Sequence, residues 1–82
     1  MASGNRKVTV TYYGMLAEKL NINSEELELP SGEINLRKFF VNKHPELKSF
    51  TFSAAVDLEY IDTLTEQALP QKIDLMPPFA GG

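Results

Sequence analysis

The sequence contains no cysteine and a single histidine. Without cysteine there is no disulfide, no thiolate nucleophile and no cysteine metal site, and the chain cannot carry a persulfide of its own. One imidazole, His44, argues against a zinc centre built from this chain alone. Basic residues are outnumbered, 8 Lys and Arg against 11 Asp and Glu, for a net charge of −3. Nucleic acid demands a basic face that displaces counterions, so the expected partners are proteins that are neutral or basic where they meet this one. No apolar run approaches the roughly 18 residues of a membrane span. The opening MASGNRK has no apolar stretch of the signal-peptide kind. Residues 1–6 therefore read as a short flexible leader, and the expected location is the cytoplasm.

What is present is the composition of an ordinary globular domain, 43% hydrophobic and 23% charged over 82 residues. One domain of that size buries only about 60–65% of its unfolded surface, which leaves little room for an enclosed active site. Residues 7–76 carry the periodic patterns. In KVTVTYYG, Val8, Val10 and Tyr12 alternate with Thr9, Thr11 and Tyr13, which predicts a strand closed by Gly14. MLAEKLN places Leu16 and Leu20 four apart, as a short helix requires. SEELELP alternates again, with Leu27 and Leu29 inward, Glu26 and Glu28 on a solvated face, and Pro30 as a stop.

SGEINLRKFFVNKHPEL reads as the main helix. Leu36, Phe39 and Phe40 form its apolar stripe and Lys43 and His44 occupy its last turn. Pro45 ends it, which makes His44 a helix-end residue; no serine or carboxylate stands at a recognisable triad spacing from it. A hairpin follows, with a strand around Ser53 to Val56, a turn at Asp57-Leu58-Glu59 and a return through Tyr60 and Ile61. KIDLM is the last strand, with Ile73 and Leu75 to one side and Asp74 and Met76 to the other, ended by Pro77. The order predicts an α+β domain of the β-grasp (ubiquitin-like) plan. Its mixed sheet has the first and last strands parallel and central, and its helices cover one face.

Residues 77–82, PPFAGG, form a tail. Pro77 and Pro78 favour an extended, projecting segment. Beyond Met76 it can reach at most about 20 Å. Ala80, Gly81 and Gly82 taper so that a terminal carboxylate can enter a passage too narrow for side chains. Phe79 has two readings, an anchor buried in a partner or a ring folded back onto Met76. Tyr13, Leu58 and Met76 are expected on the sheet face away from the helices. Together they suggest a partner-docking patch, unless Tyr13 merely stacks on the sheet.

The ending MPPFAGG, the opening VTVTYYGMLAEKL, the helix-to-proline segment FFVNKHPEL and the total length together resemble the small subunit of molybdopterin synthase. That is a family of ubiquitin-like sulfur carriers. The resemblance covers roughly Lys7 to Gly82. It departs from the family pattern at Asp57, where Asn is common after Ala-Val, and at Pro70-Gln71, where a Gly-Asp turn is common. The resemblance implies that a ubiquitin-activating-type enzyme uses ATP to adenylate Gly82 and that a sulfur donor protein converts it to a thiocarboxylate. The large synthase subunit, in a heterotetramer, then passes the sulfur to a pterin precursor, forming the dithiolene of the molybdenum cofactor. It further implies that Gly81 gives clearance, that Pro77 and Pro78 aim the tail, and that Phe79 and Ala80 ride in the partner's channel.

No metal or cofactor is expected on this chain itself. ATP belongs to the activating enzyme and the pterin to the large subunit, so the chain is half of a transferase and inert alone. This division suits a sequence without a phosphate-binding glycine loop. Three alternatives share the pattern: the sulfur carrier of thiamine thiazole synthesis, a ubiquitin-like modifier joined to lysines, and a plain β-grasp interaction module.

Overall fold

The computed structural model describes residues 6–77. β1 (Arg6–Tyr12) buries Val8, Val10 and Tyr12 on one face and exposes Lys7 and Thr9 on the other, the period-two alternation of a half-buried strand. The chain leaves it at Gly14, with φ 56 and ψ −132, a backbone region that side-chain-bearing residues rarely enter. α1 (Met15–Leu20) buries Leu16 and stops at Asn21, whose left-handed backbone donates its N–H to Ala17 O at 2.8 Å. β2 (Ser24–Leu29) pairs antiparallel with β1, Val8 opposite Leu27 and Arg6 opposite Leu29, and it turns Glu26 and Glu28 outward.

The amphipathic segment that follows does not run as one helix. Ile34–Asn35 form β3, which pairs antiparallel with β6 (Thr63–Leu64) in a separate two-stranded sheet. α2 (Leu36–Lys43) starts only after Asn35, whose side chain accepts the Lys38 N–H at 2.9 Å and caps the helix. Leu36 and Phe40 are fully buried and Phe39 partly so. His44 ends α2, and Pro45–Ser49 continue as a 3₁₀ turn that buries Leu47.

β4 (Ser53–Val56) and β5 (Glu59–Tyr60) make the hairpin. Its two turn residues, Asp57 (φ 49) and Leu58 (φ 73), are both left-handed, as a two-residue turn between twisted strands requires. The Asp57 carboxylate also accepts the N–H groups of Gln71 (3.2 Å) and Lys72 (3.1 Å), at the start of β7 (Lys72–Met76). Two of the positions at which the sequence departs from the pattern it resembles, 57 and 71, thus meet each other.

The main sheet runs β2-β1-β7-β4-β5, with β7 parallel to β1 and antiparallel to β4. This is the β-grasp arrangement. One core cluster joins Val8, Val10, Ile73 and Leu75 of the central strands to Leu16, Phe40 and Leu47 above them.

β1 begins at Arg6, one residue inside the segment expected as leader, and Arg6 is buried. Its Nη1 donates to Ala68 O at 2.8 Å and Thr65 O at 3.0 Å, and more loosely to Glu66 O at 3.4 Å. Its Nη2 donates to Pro30 O at 2.8 Å and Gly32 O at 2.9 Å. A guanidinium stays charged under all ordinary conditions, and here carbonyl dipoles from two loops take the place of water. Arg6→Met keeps the stem and removes the guanidinium donors from these carbonyls. It is expected to cost about 2–4 kcal/mol in urea unfolding, with loss of hydrogen-exchange protection in residues 65–68.

Candidate functional site

Parallel pairing brings the far ends of β1 and β7 to the same end of the sheet. There the Tyr13 N–H donates to Leu75 O at 3.1 Å, and Pro77 lies against the bare backbone of Gly14. A Cβ on Gly14 would stand 3.3 Å from Pro77 Cγ. Pro77, the first residue past β7, is therefore seated against the strand–helix turn. Pro78, Phe79, Ala80, Gly81 and Gly82 lie outside the described residues.

The open face beside this exit holds two of the three expected docking residues. Tyr13 is 41% exposed and Met76 partly buried. Met76 lies on β7 and Tyr13 directly follows β1, whose last residue, Tyr12, is level with Leu75. Leu58 is set apart from them. β4 runs against β7 with Ser53 opposite Met76 and Val56 opposite Ile73, so the hairpin turn lies beyond Lys72. At about 3.3 Å per residue that is some 13 Å from Met76. Leu58 is 82% exposed, carries the left-handed φ of the turn, and shares an open cleft with Leu69 and Gln71.

Two further residues join the patch. Tyr60 is 58% exposed and donates its hydroxyl to Met76 Sδ at 3.6 Å. Asp74, only 4% exposed, accepts from the Tyr13 hydroxyl at 3.4 Å. The alternation of KIDLM already puts Asp74 on the face of Met76. The position of Tyr60 follows only from the hairpin register, which sets it opposite Ala55 and so in the row of Asp74.

A second polar cluster lies on the core side at the same end of β1. The Tyr12 hydroxyl donates to Glu25 Oε2 at 2.5 Å, His44 Nε2 is 2.7 Å from the same oxygen, and the two rings meet edge to face at 5.7 Å. An ionised carboxylate only accepts, so Nε2 carries the proton. His44 is the helix-end residue expected, and its carboxylate partner comes from β2, 19 residues away. This cluster ties β1, β2 and the end of α2 together. Burial by itself would raise Glu25, but the bonds from Tyr12 and His44, aided by the charge of Lys43, outweigh it and hold Glu25 below its ordinary 4.5. Burial, with the bond to Glu25 and its charge, pushes the Tyr12 phenol above its ordinary 10.0.

Two outcomes are expected. Gly14→Ala strains the turn and presses on Pro77, at a cost of about 1–3 kcal/mol in thermal or urea unfolding. For Glu25 the folded value lies below the unfolded one. Its contribution is therefore present above pH 4.5 and is lost as pH falls through the folded value. Glu25→Gln should flatten this acid limb in urea titrations run stepwise from neutral to acid pH. For Tyr12 the sign is opposite, so its contribution holds below 10.0 and fades as pH rises beyond it.

No protein-family model matches the sequence, and no curated protein sequence matches it. Solved structures do. A Pyrococcus furiosus protein, provisionally described as subunit 1 of a molybdopterin converting factor, aligns with a TM-score of 0.71 and 22% identity. The match covers 90% of this chain and 99% of that one. The HVO 2177 protein of Haloferax volcanii, known from its solution structure, aligns with a TM-score of 0.73 and 12% identity, over 100% of this chain and 92% of its own. At such identities the likeness establishes the fold: the chain shares the β-grasp architecture of these proteins over nearly its whole length.

Proposed function

We propose that the chain is the sulfur carrier subunit of a molybdopterin synthase, charged at the carboxyl group of Gly82. The observation that carries this reading is the exit of β7. The central strand of the sheet delivers the chain at Pro77, seated on Gly14, with the segment Pro78-Phe79-Ala80-Gly81-Gly82 still to come. A stem held by ladders on both sides limits where the tail begins, and that raises the effective concentration of its end group at a docked partner. The likeness in fold to a protein described as a molybdopterin converting factor subunit supports the same reading.

The chemistry divides between proteins. A carboxylate becomes a useful electrophile only when one oxygen is made a leaving group. An adenylating enzyme of the ubiquitin-activating type does this with ATP, joining Gly82 to AMP and releasing pyrophosphate. Sulfur from a donor protein then replaces AMP to give the thiocarboxylate. In the large synthase subunit, the tail from Pro77 to Gly81 occupies a channel and Gly82 hands its sulfur to a pterin precursor. Tyr13 and Met76 dock beside the channel mouth. A partner that also covers Leu58 spans the sheet from end to end.

The decisive experiment mixes the purified chain with the activating enzyme of its own genome, ATP and a sulfur source, and then weighs it intact. Exchange of one C-terminal oxygen for sulfur is the expected result, and an unchanged mass would defeat the proposal. Adding the large subunit and the pterin precursor separates the molybdopterin pathway from thiazole formation. Deleting Gly81 and Gly82 should leave the fold intact and abolish transfer, whereas a plain interaction module would keep its function. Tyr13→Asp and Met76→Asp should each weaken binding of the large subunit by about tenfold or more, measured by calorimetry.

A further inference from the structure

Asp74 is a buried charge that the fold leaves half served. It sits at the centre of the five-stranded sheet, between Thr11 of β1 and Ala55 of β4, on the face opposite the core. A carboxylate offers about four acceptor positions. Among the described residues two groups approach it, both at Oδ1: the Tyr13 hydroxyl at 3.4 Å and the Lys72 ammonium at 3.8 Å. Both separations exceed the roughly 2.7–2.9 Å of a charge-assisted hydrogen bond, and the Lys72 side chain is half in solvent. No described residue bonds Oδ2. Arg6 makes the contrast, with four carbonyl oxygens within 3.0 Å of its guanidinium. Only its Nε lacks a partner among the described residues. An isolated buried carboxylate is costly unless something pairs with it.

The surroundings indicate what would. Tyr13, just past the end of β1, and Tyr60 on β5 reach toward β7 from either side of it. One hydroxyl lies at Asp74 and the other at Met76 Sδ, and both rings are substantially exposed. Phenol faces and a thioether around a carboxylate suit a cation that has a flat apolar surface as well as charge. A guanidinium stacks on aromatic rings and presents paired donors to a carboxylate, and it is less tightly hydrated than an ammonium. The net charge of −3 favours the same sign of partner.

We infer that Asp74, walled by Tyr13 and Tyr60, is a socket for an arginine side chain of the protein that docks on this face. The guanidinium takes the unspent oxygen and displaces Lys72 toward water. Only the identification of that protein as the large synthase subunit rests on the function proposed above.

The test has two arms. In the first, the full-length ¹⁵N-labelled chain is titrated with N-acetyl-arginine amide and, separately, with the uncharged citrulline analogue. Saturable shifts are expected at the amides of residues 11–13, 55, 60 and 74–76 with arginine, far smaller with citrulline and absent in Asp74→Asn. An equal response to both compounds, or an undiminished one in Asp74→Asn, overturns the inference. In the second arm, Asp74→Asn is expected to lower affinity for the large subunit about tenfold or more, while its Tm stays equal or rises because a poorly paired buried charge has gone. A lowered Tm with unaltered affinity would mark Asp74 as structural and sink the socket while leaving the carrier reading intact. If the unmodified chain does not bind the large subunit, the carrier reading fails and the arginine titration alone judges the socket. Self-association that depends on Asp74 would overturn assignment of the socket to a different protein.

Discussion

The parallel ladder between β1 and β7 is the constraint on which the rest of the structure depends. Two strands from opposite ends of the chain run side by side and in the same direction, so everything from Tyr13 to Gln71 must cross from one end of the sheet back to the other. α1, β2, α2 and the hairpin are the contents of that crossing. They cover one face with Leu16, Phe40 and Leu47 and leave the other open. Because the two strands point the same way, the strand–helix turn at Gly14 and the exit of β7 at Pro77 lie at the same end. An antiparallel pair would have sent them to opposite ends. The close approach of Pro77 to a residue with no Cβ is a direct consequence, and so is the neighbourhood of Tyr13 with Met76.

Charge is handled differently at three places in this small molecule. Arg6 closes one end of the core face of β1 and holds the loops at 30–32 and 65–68 through their carbonyls. Glu25, opposite Val10 on β2, closes the other end and is tied to Tyr12 and His44. Both groups hold short hydrogen bonds, although Arg6 Nε has no partner among the described residues, and both join elements far apart in sequence. Asp74 is more deeply buried than Glu25, yet it lies on the open face with two long contacts. Of the three, it is the one that the fold serves only through long contacts on an open face.

Much of this architecture is legible in the residues alone. β1, β2 and β7 declare themselves by period-two alternation, and α1 by its Leu16–Leu20 spacing. The hairpin shows in its turn residues, and the stop after α2 in Pro45. The central parallel pair follows from the order of those elements. The start of α2 is not legible, because Ile34 fits the helical stripe as well as it fits a strand. Its actual partner, Leu64, lies thirty residues on. Arg6 stands beside an unpatterned opening segment and has no local feature to mark it as buried. Of the candidate site, Tyr13 and Met76 could be placed from alternation, while Tyr60 needed the register of the hairpin. The separation of Leu58 from them needed the antiparallel sense of β4 against β7.

The amino-acid order by itself determined the elements, the face each presents and the plan of the sheet, because strand and helix periodicity are properties of a few neighbouring residues. Only the tertiary structure decided which polar groups meet: Arg6 with carbonyls up to 62 positions away, Glu25 with His44, Tyr13 with Asp74. A carbonyl, a carboxylate or a phenol carries no mark of its future partner. Register, strand direction and the packing of distant segments choose it.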